Sequence, residues 1–216
     1  RAQVFRPEAV NGAVLGGIAG AVIGNNSGDL HHNGWRGAAL GAGAGLLLGG
    51  LPHAELAALL PHLELIQLEH HDTVFGPQTP IEFVLFPETA VVSLVSTFED
   101  GGTVEVGTAG CEGMVGLPVF LGEPTSAASV FTQIPGTASR MSAATFAHLA
   151  GAPGALHGMM LRYTQAFLTQ VSQTAACNAA HLVEQRCARW LLLTHDRVEG
   201  DDFPLTHEFL AYMLSV

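Results

Sequence analysis

Four different periods of apolar and polar residues follow one another along the chain, and each predicts a different element. Residues 1–50 carry glycine at every fourth position through two apolar runs. These are Gly12, Gly16, Gly20 and Gly24 in the first, and Gly37, Gly41, Gly45 and Gly49 in the second. A spacing of four puts each set on one helix face, where missing side chains let a second helix approach closely. With the polar stretch NNSGDLHHNGWR between them, the runs predict a helical hairpin. From Leu51 to Leu63, leucines 56, 59, 60 and 63 share one side, which predicts a short amphipathic helix.

From Glu64 the period falls to two. Strands are predicted at 65–68, 73–75, 81–86, 90–98, 103–107, 129–134 and 137–141, belonging to a set of about eight. Gly76–Pro80, Glu99–Gly102 and Pro135–Gly136 supply the turns, the second as a tight hairpin. Many short strands between Gly/Pro turns indicate a barrel or sandwich. Ser142 then caps a short helix to Leu149, which Gly151-Ala-Pro-Gly154 ends. A long helix over 155–180 sets Met160, Thr164, Phe167, Val171, Thr174 and Asn178 at alternating spacings of four and three, a coiled-coil seam. A helix lying on its own barrel is the other reading of that stretch. A further helix covers 181–198, and Leu205–Leu214 forms the last, with Thr206 as its cap.

Composition narrows the chemistry. At 216 residues, 48% of them apolar, one or two domains with a real core are expected. The formal net charge is −11 and all eight basic residues are Arg, which argues against nonspecific nucleic-acid binding. Cys111, Cys177 and Cys187 have no metal-ligand spacing, and an odd, scattered set fits a reducing compartment. His70-His71-Asp72 invites a metal site, but neighbours on a strand point to opposite faces. No nucleophile elbow, phosphate loop or His-Glu-x-x-His occurs, so the chain reads as no enzyme, with no catalytic or metal-binding residue. It begins at Arg1 rather than Met and stops within an apolar pattern at Val216, and it reads as a fragment at both ends.

The most informative stretch is Val104–Val130, VEVGTAGCEGMVGLPVFLGEPTSAASV. A strand leads into glycines 107, 110, 113 and 116, then a short apolar segment, Gly122, a small-residue run and a new strand. Gly in such a setting marks a tight corner or a close backbone approach. The plainer reading is that these glycines only turn barrel corners. The pattern resembles the phosphate-binding cassette of the Crp/Fnr transcription regulators, whose sensor is a cyclic-nucleotide-binding β-roll. In that family a Glu directly after the last Gly holds the ribose, and an Arg before Ser-Ala pairs with the phosphate. Here Leu117 and Ser126 stand at those positions, Ala127-Ala128 follows, and no Arg or Lys lies between Asp100 and Gln133. A buried phosphate needs a cation or a nest of backbone N–H groups, so the fold is expected without cyclic-AMP binding.

EQRCARWLLLTHDR and LTHEFLAYMLSV also resemble the opening of that family's winged helix-turn-helix, whose base-reading helix would begin beyond Val216. The resemblance covers about Leu51 to Val216, and residues 1–50 separately resemble the glycine-zipper hairpin of bacterial envelope proteins. Together they imply an α+β chain in four parts: the glycine-zipper hairpin over 1–50, the β-roll (a double-stranded jelly-roll barrel) over 51–154, the dimerisation helix over 155–180, and the start of the DNA-binding head over 181–216. The Crp/Fnr resemblance further implies a cytoplasmic homodimer that binds promoter DNA. The effector pocket falls on Gly113, Gly116, Leu117, Ser126 and Ala127, and the dimer seam on Met160, Thr164, Phe167, Val171 and Thr174. Thr206 and His207 are the phosphate contacts at a helix N-terminus. No cofactor is implied, and the small-molecule effector is not identified. The alternative is a membrane-associated glycine-zipper protein, touching the bilayer through residues 9–50, with the roll as sensor or interaction module. Each of its apolar runs is shorter than the ~20 residues of a full span.

Overall fold

The computed structural model describes residues 46–99, 101–198, 200 and 202–216. The expected glycine-zipper hairpin therefore falls almost wholly outside the described residues. The chain enters the structure through a single turn, α1 (Leu46–Gly49), and then α2 (His53–Leu59). The helix expected over 51–63 is shorter and ends in a 3-10 turn, Leu60–His62. Pro61 explains this, because it has no N–H to continue the α-helical ladder and its ring crowds the preceding turn.

Seven strands follow among the described residues, all antiparallel: β1 (Glu64–Leu68), β2 (Thr73–Phe75), β3 (Phe83–Pro87), β4 (Val91–Thr97), β5 (Thr103–Ala109), β6 (Ser129–Ile134) and β7 (Gly136–Ser142). They form a three-stranded sheet in the order β1-β7-β3 and a four-stranded sheet in the order β2-β6-β4-β5. This is the β-roll. Between the sheets lie Leu68, Phe75, Leu85, Val92, Val115, Val130 and Ala138. The β4–β5 hairpin is closed by Phe98 N–H to Gly102 O at 2.7 Å and Gly101 N–H to Phe98 O at 3.0 Å, with Gly101 at φ +85°. That loop is wider than a two-residue turn, and its left-handed residue is the glycine the position requires.

Helices cover the outside. After α3 (Leu117–Phe120), which lies between β5 and β6, come α4 (Ala143–Gly151), α5 (Ala155–Ala180), α6 (Val183–His195) and α7 (His207–Leu214). Ser142 caps α4 by accepting from Thr145 N–H at 3.2 Å. The first amides of α5 are satisfied from a distance: Ala155 and Leu156 donate to the Glu55 carboxylate at 2.8 and 2.7 Å. A carboxylate at a helix N-terminus satisfies orphan donors and meets the positive end of the dipole.

A second core joins α1, α2, α4 and α5 to β3 and β7, around Phe86, Phe146, Met141, Met159 and Met160. Leu47 and Leu48, 1% and 0% exposed, belong to it together with Leu51. Leu47 N–H also donates to Cys111 O at 3.2 Å. The end of the glycine-rich stretch is thus built into the same packed unit as the roll. Replacing a fully buried leucine by alanine costs about 2–5 kcal/mol, through lost burial and the cavity left behind. Leu48→Ala is expected to lower the urea unfolding free energy of the full chain by that amount. A loss below about 1 kcal/mol would place Leu48 outside the core.

Candidate functional site

The cassette leaves β5 through a tight turn in which Gly113 N–H donates to Gly110 O at 3.0 Å. Val115 then pairs with Leu85 of β3 in both directions, at 2.8 and 3.0 Å, which pins the segment to the roll. Gly116 sits at φ +97° ahead of α3, and a Cβ there would lie 3.0 Å from Val84 Cγ1. Only glycine combines that conformation with that approach. At Gly113 a Cβ would lie 2.7 Å from the hydroxyl of Tyr163 in α5. That hydroxyl donates to Met114 O at 2.9 Å, and burial pushes the phenol well above its ordinary range. Phe167 fills the equivalent place beside Gly107, 2.8 Å from a built Cβ. The glycines make room for aromatic side chains of the long helix.

The other expected pocket residues are spread along the same wall. Leu117 is half-buried and packs on the helix-side core. Ser126 is buried, and its hydroxyl accepts from Ala128 N–H at 3.1 Å, so it organises its own loop. Ala127 is exposed. The loop is fixed to the β2–β3 connection by Gln78 N–H donating to Ser126 O at 2.7 Å, and by a Pro80–Thr125 bridge. The cation that reaches the cassette comes from just beyond α6. Arg197 Nε and Nη2 both lie 2.7 Å from Glu112 Oε1, while Nη1 donates to Leu193 O at 2.7 Å. The Arg197 side chain is 7% exposed, so this is a desolvated, charge-assisted contact.

Helices α6 and α7 lie on the outer face of the four-stranded sheet. Trp190, Phe209, Met213 and Leu214 pack with Val95. The Phe209 ring meets His71 at 5.1 Å, His70 at 5.4 Å and Phe131 at 6.2 Å between centroids. His70 and His71 occupy the β1–β2 turn rather than a strand, with His71 at φ +68° and the two rings 4.0 Å apart. The opposite-faces argument therefore does not apply to them. They line a protein–protein contact inside the molecule, and burial, then the neighbouring His70, lowers the pKa of His71. Thr103 Oγ1 donates to Tyr212 O at 3.3 Å, and Arg189 Nη2 donates to Thr174 Oγ1 at 2.8 Å. Thr206 caps α7, accepting from Phe209 N–H at 3.1 Å, and is exposed together with His207. Thr206 also borders a cleft of about 550 Å³ between α7 and the roll, lined in part by His71, Phe131 and Tyr212.

The residues expected in the dimer seam divide between two faces of α5. Met160 and Thr174 are buried within the chain itself, and Phe167 packs on the cassette strand. Gln170 on the same side is bidentate to β5, accepting from Thr108 N–H at 3.3 Å and donating to Thr108 O at 3.1 Å. Thr164 and Val171 are half-buried and border a second stripe, where Leu161 and Leu168 are 53% and 54% exposed. Sequence reasoning missed the Glu112–Arg197 pair, 85 positions apart. It also missed the histidines' place under α7.

Comparison with known proteins matches this arrangement. The structure is similar to a regulator of Xanthomonas campestris described as the cyclic-di-GMP-responsive global regulator CLP. The TM-score is 0.59 at 18% identity, covering 76% of this chain and 84% of that one. A Crp/Fnr family transcriptional regulator from Eubacterium rectale superimposes with a TM-score of 0.64 at 11% identity, covering 78% and 79%. A CRP-family regulator from Thermus thermophilus gives 0.57 at 14%, covering 68% and 74%. The fold is that of the Crp/Fnr regulators. Residues 5–55 match the YMGG-like Gly-zipper family. No curated protein matches the sequence. Among the described residues, no helix is long and apolar enough to cross a membrane, and no three His, Cys, Asp or Glu side chains cluster as metal ligands.

Loss of a charge-assisted hydrogen bond costs about 1.5–3 kcal/mol. Glu112→Ala is therefore expected to lower hydrogen-exchange protection at the end of α6 by about ten- to a hundredfold. Unchanged protection there would mean that the ion pair does not hold the head to the cassette.

Proposed function

We propose that this chain is a DNA-binding transcription regulator of Crp/Fnr type, in which the roll holds the DNA-binding head against its outer sheet. The observation that supports this best is the docked head itself. A Thr206-capped helix, α7, and its partner α6 are clamped on the sensor by Phe209 and Trp190 and ion-paired to the cassette through Arg197 and Glu112. An effector switches such a molecule only if it binds the docked and released arrangements with different affinity. Anything that moves the turn at 110–113 acts directly on Arg197.

The effector in this reading is uncharged or apolar and is not cyclic AMP. Leu117 and Ser126 supply neither a ribose-binding carboxylate nor a phosphate-binding cation, and Tyr163 and Phe167 reach into the cassette from α5. The chain works as a homodimer along α5, through the exposed stripe of Leu161, Thr164, Leu168 and Val171 rather than through Met160 and Thr174. Thr206 and His207 then meet DNA phosphates. The protein acts in the cytoplasm and has no enzymatic role.

Protein from the complete reading frame is expected to shift promoter DNA in a sequence-dependent and salt-sensitive way, and Leu168→Glu to sediment as a monomer with weakened binding. No shift at low salt would remove the regulator reading, and a dimeric Leu168→Glu would remove the seam. Isothermal titration with cyclic AMP is expected to give no heat of binding, and a saturable isotherm would overturn the effector assignment.

A further inference from the structure

Glu105 is a buried carboxylate on the sheet face that the helices cover. It lies on β5, the edge strand of the four-stranded sheet, opposite Val95. Its side chain shares the outer face with Ser93, Val95, Phe131 and Gln133, the face that α5, α6 and α7 cover. It is 7% exposed. Ser93 and Thr108 hydroxyls contact its Oε1 at 2.7 and 2.9 Å.

The hydrogen bonds continue into the head. Ser93 Oγ also lies 2.6 Å from Gln133 Oε1, and Gln133 Nε2 donates to Thr194 Oγ1 of α6 at 2.7 Å. Ser93 has one hydroxyl proton and two acceptors beside it, so one of those contacts needs a proton from its partner. A protonated Glu105 supplies it: Glu105 donates to Ser93, Ser93 to Gln133, and Gln133 to Thr194. With Glu105 ionised, the chain closes only if the Gln133 amide turns over, and the direction of donation to α6 reverses. That arrangement leaves a buried negative charge at the contact between roll and head.

We propose that docking of the head is proton-linked through Glu105, which is protonated when α6 and α7 lie on the roll and gives up its proton when they lift. Burial raises the Glu105 carboxyl from 4.5 to about 7, outweighing the hydrogen bonds from Ser93 and Thr108 and the through-space pull of Arg197 and Arg189. The other titratable groups at this contact include Glu112, already paired with Arg197, Cys177 of α5 near Arg189, Tyr212 and Glu208 of α7, and His70 and His71. His70 Nδ1 lies 2.9 Å from Gln133 O. A carboxyl whose pKa is raised by docking favours the docked form at low pH, and that preference is lost as the pH climbs from 4.5 to about 7. His71 works in the opposite sense, because burial lowers its pKa and so favours docking as pH rises. The sign of the effect therefore identifies the group. The linkage rests on the docked arrangement and is independent of whether the head meets DNA.

Hydrogen-exchange protection factors for the amides of α7, measured on the full chain between pH 6 and 8, test this directly. Protection is expected to fall by about tenfold over that range. Glu105→Gln, neutral at every pH, is expected to flatten the dependence. Should Glu105→Gln lose the β-sheet circular dichroism of the roll, Ser93→Ala carries the test. Ser93 is the link between Glu105 and Gln133, and removing it breaks the chain to Thr194 and shifts the midpoint of release. Protection that is constant or rises with pH would overturn the proposal, as would an unchanged slope in Glu105→Gln or an unchanged midpoint in Ser93→Ala.

Discussion

Everything outside the roll depends on a sheet that is buried on both faces. The inner face of β2-β6-β4-β5 meets the other sheet through Val92 and Val130. The outer face mixes Val95 and Phe131 with Ser93, Gln133 and Glu105, and the helices supply its cover. A buried polar group is costly unless it is hydrogen-bonded, so the helices cannot rest on this face in an arbitrary position. Gln170 matches the free N–H and C=O of Thr108 on the edge strand, and Thr194 meets Gln133. These directional contacts fix where α5 and α6 lie, while the apolar contacts of Trp190 and Phe209 add non-directional burial.

The same arrangement gives the glycine pattern a use in a cassette where Leu117 and Ser126 stand in place of a carboxylate and a cation. Close approach is needed whether the neighbour is a ligand or a side chain. Here Tyr163 and Phe167 take the space beside Gly113 and Gly107, and Gly116 serves a left-handed corner against Val84. The plainer reading of these glycines and the ligand-site reading converge on one backbone path, in which the long helix is the resident neighbour. The Glu112 carboxylate ties the same turn to Arg197 just beyond α6.

Much of this architecture was legible from local sequence. Period-two alternation located the strands, Gly154 and the polar end at Ala180 bounded the long helix, and Ser142 and Thr206 announced their caps. The inward face of α5 was not legible, because the helix carries two apolar stripes. Met160, Tyr163 and Thr174 belong to one, and Leu161 and Leu168 to the other, and heptad spacing does not rank them. Glu105, between Val104 and Val106, has the pattern of a solvent-facing strand residue, and it does face outward. Only the helices show that outward is not solvent. The histidine pair was misplaced on a strand because the left-handed backbone at His71 has no glycine to mark it. Glu55 and Ala155, like Glu112 and Arg197, are brought together by topology alone.

Leu47 and Leu48 give the glycine-rich stretch ahead of them a mechanical meaning. They are wedged in the core beside Met159 and Met160 of the long helix, and the Leu47 amide is hydrogen-bonded to Cys111 in the cassette turn. No slack separates the described start of the chain from the roll. Leu47 and Leu48 therefore tie the cassette turn and the long helix to one anchor.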